Sequence, residues 1–197
     1  MVRTAVALLF SVLCISLPAA PLVAAAAPVP QQAPVNARAQ AMVDFKKRMD
    51  AYLELRRAIT QKIPEVKETG NPAKIHEREV ALGKALAMAR PNAKAGDIFG
   101  ALSTYLLKSV EDDWNSRSPA DQKAMLSELP KGLILKVNQP YPPNLPLATA
   151  PSKLLAQLPM LPEELEYRLL NRRLLLRDRD ANLIIDVLVG TEPTRTE

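Results

Sequence analysis

The chain has 197 residues, of which 48% are apolar and 24% are charged. This length and aliphatic content suffice for one domain with a core, and they argue against wholesale disorder, collagen and a pure coiled coil. A single cysteine excludes a disulfide scaffold, and the 26 basic and 21 acidic residues give a net charge of +5. Because aromatic residues make up only 4%, the core has to be built from aliphatic side chains and alanine.

The N-terminal segment has the order of a secretory signal peptide. Arg3 precedes an apolar run from Ala5 to Leu17, and two prolines and a stretch of small residues follow. We predict that residues 1–27 are a signal peptide, cleaved near Ala26 or Ala27, and that the protein is exported to the periplasm or secreted. The alternative is an uncleaved anchor. A membrane-spanning helix needs about 20 apolar residues, whereas the run from Ala5 to Leu17 has only 13 before the prolines interrupt it.

The only cysteine, Cys14, lies inside this predicted signal peptide. The residues before it, Val12 and Leu13, are not the small residues that a lipoprotein signal requires. Cleavage therefore leaves a mature chain without a disulfide, a thiolate metal ligand or a cysteine nucleophile. No later stretch is apolar and long enough to span a membrane, so we predict no membrane span in the mature chain.

We predict an α+β fold within a single domain at residues 37–190, preceded by a flexible leader at 28–36 and followed by a tail at 191–197. The domain has three parts, which are a helical part of three to four helices (37–129), a strand and Pro-rich connection (130–162), and a small antiparallel β-meander (163–190).

Helical spacing of apolar residues predicts the first helix, which Pro64 ends. Arg56 interrupts its apolar stripe of Met42, Phe45, Met49, Tyr52, Ile59 and Ile63. Asn71 and Pro72 predict the start of a second helix, which runs to about Arg90 and pairs with the first as an antiparallel hairpin. Two further helices are predicted at Ile98–Trp114 and from Ser118 to before Pro130.

Residues of the C-terminal part predict short strands at Leu133–Val137, Glu166–Leu170, Arg173–Asp178 and Leu183–Val189. A helical turn within Ser152–Gln157 is the only regular element expected in the Pro-rich connection.

The mature chain lacks the usual catalytic and metal-binding patterns. His76 is the only histidine, and a zinc site needs three or four ligands, so we expect a surface residue. Asp178–Asn182 has the first half of a calcium loop, but Leu183 and Val189 occupy the positions of the required glycine and glutamate, which favours a polar β-turn. With no nucleophile elbow and no Gly-rich phosphate loop, we predict no catalytic residue, no metal and no cofactor. The modest basic charge, the few aromatic residues and the predicted export also lead us to expect no nucleic-acid partner.

The predicted helical hairpin is basic. Residues 38–94 hold 13 basic and 7 acidic side chains, a balance of +6. This charge suits an anionic partner, but the interpretation we favour is a solvated helix surface with i,i+4 ion pairs.

The register of the meander predicts a candidate site. If Asn171 and Arg172 form a two-residue turn, the first two strands pair with Glu166 opposite Arg177. A loop at 179–182 then places Leu176 beside Ile185 and Leu174 beside Val187, on an apolar face that also holds Tyr167 and Leu169 and packs on the helices. The opposite face collects the candidate binding residues, which are Glu166, Arg168, Arg177 and Asp186. They form either a recognition surface or a structural ion-pair network.

The run from Leu158 to Leu188 resembles the C-terminal signature of a family of uncharacterised exported bacterial proteins, LPxLPxELEYR followed by LxLRDxxANLIxD. That family has no assigned activity, so the resemblance implies export and a similar architecture but no reaction. The final hairpin is also similar to the terminal β-hairpin of periplasmic nickel/cobalt-homeostasis proteins, and we transfer no metal function from it.

These observations favour an exported, non-enzymatic protein that binds another envelope component, either an envelope protein or an anionic envelope polymer. A carboxylate-based hydrolase is one alternative, because two carboxylates held about 5–10 Å apart can hydrolyse a glycosidic bond. A metal- or stress-linked envelope protein is the other. The oligomeric state is left open.

Overall fold

The computed structural model of the protein describes residues 36–65, 71–130, 132–145 and 150–190. The predicted signal peptide, nearly all of the predicted leader and the predicted tail lie outside these residues.

The fold is α+β, as expected, with helices that precede a three-stranded antiparallel sheet of order β1-β2-β3. The helices are α1 (Ala37–Thr60), α2 (Pro72–Ala89), α3 (Ser103–Asn115), α4 (Pro119–Ser127) and the single turn α5 (Ser152–Leu155), with a 3-10 turn at Gly100–Leu102 before α3. The strands are β1 (Leu165–Leu170), β2 (Arg173–Asp178) and β3 (Leu183–Val189).

Side-chain caps start three of the helices, at Asn36 for α1, Asn71 for α2 and Ser118 for α4. The Asn71 side chain accepts a hydrogen bond from the Ala73 amide at 3.0 Å, and the Ser118 hydroxyl accepts one from the Asp121 amide at 3.1 Å. Both caps confirm predicted helix starts, because a side-chain oxygen satisfies an amide that has no partner within the helix.

The third helix begins later than expected. Gly100 has a φ of +54°, outside the right-handed helical region, so a helix that starts at Ile98 cannot pass through it. The chain instead makes the 3-10 turn and enters α3 at Ser103.

The main core lies between the helices and one face of the sheet. Phe45, Met49 and Tyr52 of α1 pack there with Leu82 and Leu86 of α2, and the sheet contributes leucines of all three strands. The Phe45 ring stacks on the Phe99 ring, with centroids 5.9 Å apart. One residue of the expected stripe is wrong, because Ala41 is buried in the place of Met42, whose side chain is exposed.

A second, smaller core covers the other face of the sheet. Tyr141 and Leu145 pack there on Leu175 and Ile184, and the partly buried side chains of Leu133, Leu135 and Val137 complete it.

The strand predicted at Leu133–Val137 is wrong, because this segment has no regular structure. Asn138 turns the chain with a φ of 63°, and Pro140 has no amide hydrogen to extend a ladder. Contact with β3 consists of a bridge between Pro140 and Leu183 and of backbone hydrogen bonds that join Asn138 and Gln139 to Ile184. A further backbone bond runs from the Tyr141 amide to the Asn182 carbonyl, just before β3.

The register is right for β1 and β2 and wrong for much of β3. Glu166 pairs with Arg177 as expected. However, Leu176 pairs with Asp186 rather than Ile185, because the register shifts between Leu176 and Arg177 and leaves Ile185 as the extra residue of a β-bulge.

The bulge changes the face of the residues that follow it. Val187 lies in the second core instead of beside Leu174, and Leu188 lies in the main core. Asp186 turns toward the helices, away from the face on which the alternation of side chains had placed it.

Candidate binding groove

Three of the four predicted binding residues come together on the outer face of the sheet. The Arg168 guanidinium donates two hydrogen bonds to the Glu166 carboxylate, at 2.8 and 2.6 Å, and Arg177 donates to the same carboxylate. Arg177 also donates to the Asn182 side-chain oxygen and lies 5.5 Å from the centre of the Tyr141 ring. The side chains of Glu166, Arg168 and Arg177 are 19%, 12% and 12% exposed, so they are mostly covered.

The two arginines of this cluster stabilise the ionised form of Glu166. Burial would raise the pKa of Glu166, but the hydrogen bonds from Arg168 and Arg177 outweigh it and leave the pKa below its usual value. The cluster therefore has the character of an ion-pair network whose donors and acceptors are directed at each other.

The fourth residue, Asp186, lies on the other face, so its predicted position on the same face as Glu166, Arg168 and Arg177 is wrong. One carboxylate oxygen accepts hydrogen bonds from the Gly96 and Val187 amides at 2.6 and 2.8 Å. The other accepts from the Ile98 and Phe99 amides at 2.7 and 2.8 Å. Burial raises the pKa of Asp186, and these four bonds act in the opposite direction. Asp186 thus fastens the 96–99 loop to the sheet, and the β3 bulge is what places it there.

A buried charge cluster that the sequence analysis did not predict lies at the β2–β3 turn. Arg56 donates to the Asp178 carboxylate at 2.7 Å and to the Asp180 carboxylate at 2.5 Å. The Tyr52 hydroxyl donates to Asp178 at 2.8 Å, and the Ala181 amide donates to its other oxygen at 3.0 Å. The interruption of the α1 stripe by Arg56 was the signal that could have revealed this pair.

The contacts of Asp178 also concern the calcium half-loop pattern at Asp178–Asn182. Both oxygens of Asp178 are used by Arg56, Tyr52 and Ala181, within a turn between β2 and β3. In the described part of the chain, no group of three or more histidine, cysteine or carboxylate side chains has an arrangement that holds a metal ion. His76 lies on the surface as expected, with 71% of its side chain exposed.

A groove with a volume of about 460 Å³ runs beside α2. One wall is α2, and the other is formed by Asn138, Pro140 and residues 181–183. This volume is within the range of roughly 300–1,000 Å³ that is typical of ligand sites.

Gly83 brings the two walls of the groove together. A Cβ atom at this position would lie 2.7 Å from the Ala181 carbonyl oxygen, which is closer than a carbon atom can approach. The opposite wall is held together by backbone hydrogen bonds at 2.8 Å, since the backbone amide of Asn138 donates to the Ile184 carbonyl of β3 and that of Tyr141 donates to the Asn182 carbonyl of the β2–β3 turn. The groove is therefore preformed by backbone contacts.

The lining of the groove is mostly apolar. Val80 and Met88 line it with 51% and 71% exposure. The side-chain amides of the two lining asparagines each donate a hydrogen bond within the protein, from Asn138 to the Arg90 carbonyl and from Asn182 to the Tyr141 carbonyl.

Two charged side chains also line the groove. Glu79 lies 3.5 Å from the His76 ring nitrogen. Lys84 is exposed and makes no hydrogen bond or ion pair with any residue in the described ranges. The groove thus combines an apolar surface with one cation that has no partner there.

A second depression, of about 410 Å³, lies at the C-terminal end of α1. Its lining includes Arg56 and Arg57 together with Glu65 and Glu164. Arg56 already forms ion pairs with Asp178 and Asp180. Of the two arginines that line this depression, it therefore belongs to the buried charge cluster.

The chain matches no family model, no curated protein and no solved structure. The resemblance of the C-terminal segment therefore stays a prediction. Among the helices that the structure describes, none combines the length and the apolar character needed to cross a membrane.

Proposed function

We propose that the chain is an exported, non-enzymatic binding protein of the cell envelope, and that the groove beside α2 holds an apolar part of the component it binds. The observation that carries this proposal is the preformed groove, with its apolar lining and the exposed side chains of Val80 and Met88. The proposal of export rests on the order of charged, apolar and small residues at the N-terminus.

The groove supports binding because its exposed apolar surface is concave. Single exposed apolar side chains are normal on a protein surface, but Val80 and Met88 line the same depression. Full burial of one such side chain is worth about 1.5–3 kcal/mol, so an apolar ligand gains binding energy by covering both.

A neutral fluorescent probe tests the groove. N-phenyl-1-naphthylamine is titrated into the protein purified from cells in the form that accumulates there. Its fluorescence should increase on binding. The double substitution Val80→Glu with Met88→Glu should abolish this signal while the circular dichroism spectrum stays unchanged, because both side chains are exposed. Ile75→Glu is the matched control, since Ile75 is an exposed apolar residue of α2 outside the groove lining. Equal brightening in all three proteins, or none in the parent, contradicts the proposal.

A separate experiment tests export and the envelope partner. N-terminal sequencing of the protein from the periplasmic fraction should find a start near residue 27. A photo-crosslinking residue at position 88 should then capture an envelope component that the same residue at position 75 does not. An intact Met1, or the same captured species from both positions, counts against the proposal.

A further inference from the structure

We infer that the groove beside α2 takes a single-chain amphiphile with a carboxylate head, and that Lys84 binds the head. This inference rests on the proposed function and names its ligand class.

The charge of the groove points to an anionic head. Lys84 is the only basic residue of the described groove lining, and its ammonium group has no partner there. The carboxylate of Glu79 is next to His76, and the Asn138 and Asn182 amides donate to backbone carbonyls. Lys84 is therefore the one cationic donor that the described lining offers to an incoming anion, a compact charge with three N–H groups.

One cation also limits the charge of the ligand. A phosphate-rich or polyanionic ligand is recognised by several basic groups, commonly by arginine pairs. The described lining contains one lysine and no arginine, and it includes Glu79, which repels further negative charge. This set matches a head with a single negative charge, such as a carboxylate.

The dimensions of the groove point to one acyl chain. The lining positions of α2 extend from Glu79 to Met88, a rise of about 13 Å along the helix axis. A volume of about 460 Å³ is in the lower part of the range for ligand sites, so we assign one chain rather than a two-chain lipid.

The charge of the neighbouring helices also favours a negatively charged ligand. Residues 38–94, which include α1 and α2, carry a balance of +6. Such a field raises the local concentration of anions and weakens as salt is added.

Displacement of the bound naphthylamine probe tests this inference. The competitors share one chain length, and they are dodecanoate, dodecyl maltoside and dodecyltrimethylammonium, each below its micelle concentration. At low salt we expect dodecanoate to bind about three- to fivefold more tightly than the cationic amphiphile, a difference typical of one partly exposed ion pair. Lys84→Gln should remove this preference, and Lys84→Glu should reverse it.

Lys74→Glu is the matched control, because Lys74 is exposed on α2 but does not line the groove. This variant changes the net charge equally and should keep the parent's preference for dodecanoate. Equal binding of the three amphiphiles to the parent, or equal effects of Lys84→Glu and Lys74→Glu, overturns the assignment while the groove proposal stands. Absence of probe binding to the parent overturns both.

Discussion

Arg56 shows at the scale of one residue how this protein tolerates a charge in its interior. Its side chain is 10% exposed and contacts Asp178, whose side chain is fully buried. Two buried charges are costly unless they are paired and hydrogen-bonded, and here Tyr52 and the Ala181 amide supply the additional bonds. Burial raises the pKa of the Tyr52 phenol, which therefore stays a hydrogen-bond donor to Asp178. The cost of burying these charges is offset only while every member of the cluster is present.

Arg56→Met should destabilise the protein strongly. The substitution leaves the Asp178 carboxylate buried without its charge partner, which costs about 3–5 kcal/mol. The free energy of unfolding, measured with urea, should fall by this amount. Arg57→Met is the control, because Arg57 is exposed and makes no ion pair in the described part of the chain, so its effect should stay within about 0.5 kcal/mol. Similar losses in the two variants would show that the buried pair contributes little.

Glu166 should make stability depend on acid pH. Because its pKa is lower in the folded protein than in the unfolded chain, its ionised form contributes stability that is fully present above the ordinary glutamate pKa of about 4.3. That contribution is lost as the pH falls through the folded pKa.

The advantage of the parent over Glu166→Gln in urea unfolding should therefore shrink between pH 6 and pH 3. Glu128→Gln, which removes a carboxylate at an exposed position, is the matched control, and the change with pH should be larger for Glu166→Gln than for this variant. An equal change with pH in the two variants would mean that the two arginines do not stabilise the charge of Glu166.

At the scale of elements, the close approach of α2 to the β2–β3 turn sets the width of the groove. Gly83 is buried against the Ala181 carbonyl, and the atom that a side chain would meet belongs to the backbone. A backbone atom moves only if the turn moves, and that turn is tied to Arg56 through Asp178 and Asp180. The helix, the turn and the buried charge cluster therefore form one connected support for the groove.

Gly83→Ala should destabilise the protein despite the higher helix propensity of alanine. Propensity by itself predicts a gain of up to about 1 kcal/mol, but the added Cβ would lie 2.7 Å from the Ala181 oxygen. Ala81→Gly, at an exposed position of the same helix, should lose about 1 kcal/mol through propensity. Thermal unfolding of both variants checks this, and a raised melting temperature for Gly83→Ala would contradict the close contact.

At the scale of the whole molecule, one core joins the helices to the sheet. Phe45 of α1, Leu82 of α2, Leu106 of α3 and Leu174 of β2 belong to the same buried cluster. Strands as short as these have little stability of their own and need a surface on which to pack. The helical part and the meander therefore depend on the same contacts.

The domain should consequently unfold in one transition. Trp114, the only tryptophan, is buried in α3, so its fluorescence reports tertiary packing while far-UV circular dichroism reports the helices. The two signals should give the same midpoint in urea, as two-state unfolding requires. Two separated midpoints would mean that the helices and the sheet are independent units.

The amino-acid sequence by itself determined the features that depend on neighbouring residues. The caps at Asn71 and Ser118 start helices within one turn of themselves, and the turn at Asn171, with a φ of 54°, sets the pairing of β1 with β2. The helix starts and the strand patterns together give the α+β order of the fold. The pairing of β1 with β2 brings Glu166 opposite Arg177 and on the same face as Arg168.

Only the tertiary structure decided the features that depend on residues far apart in the chain. Alternation along β3 cannot show which residue is extra, because the bulge at Ile185 is favoured by hydrogen bonds between Asp186 and the amides of the 96–99 loop, nearly half the chain away. The burial of Arg56 likewise depends on Asp178, and the groove depends on the approach of Gly83 to Ala181. A local pattern can flag an inward-facing charge, as the interrupted stripe of α1 does for Arg56, but it cannot name the partner, since the energy that fixes such a pairing arises only when the elements pack together.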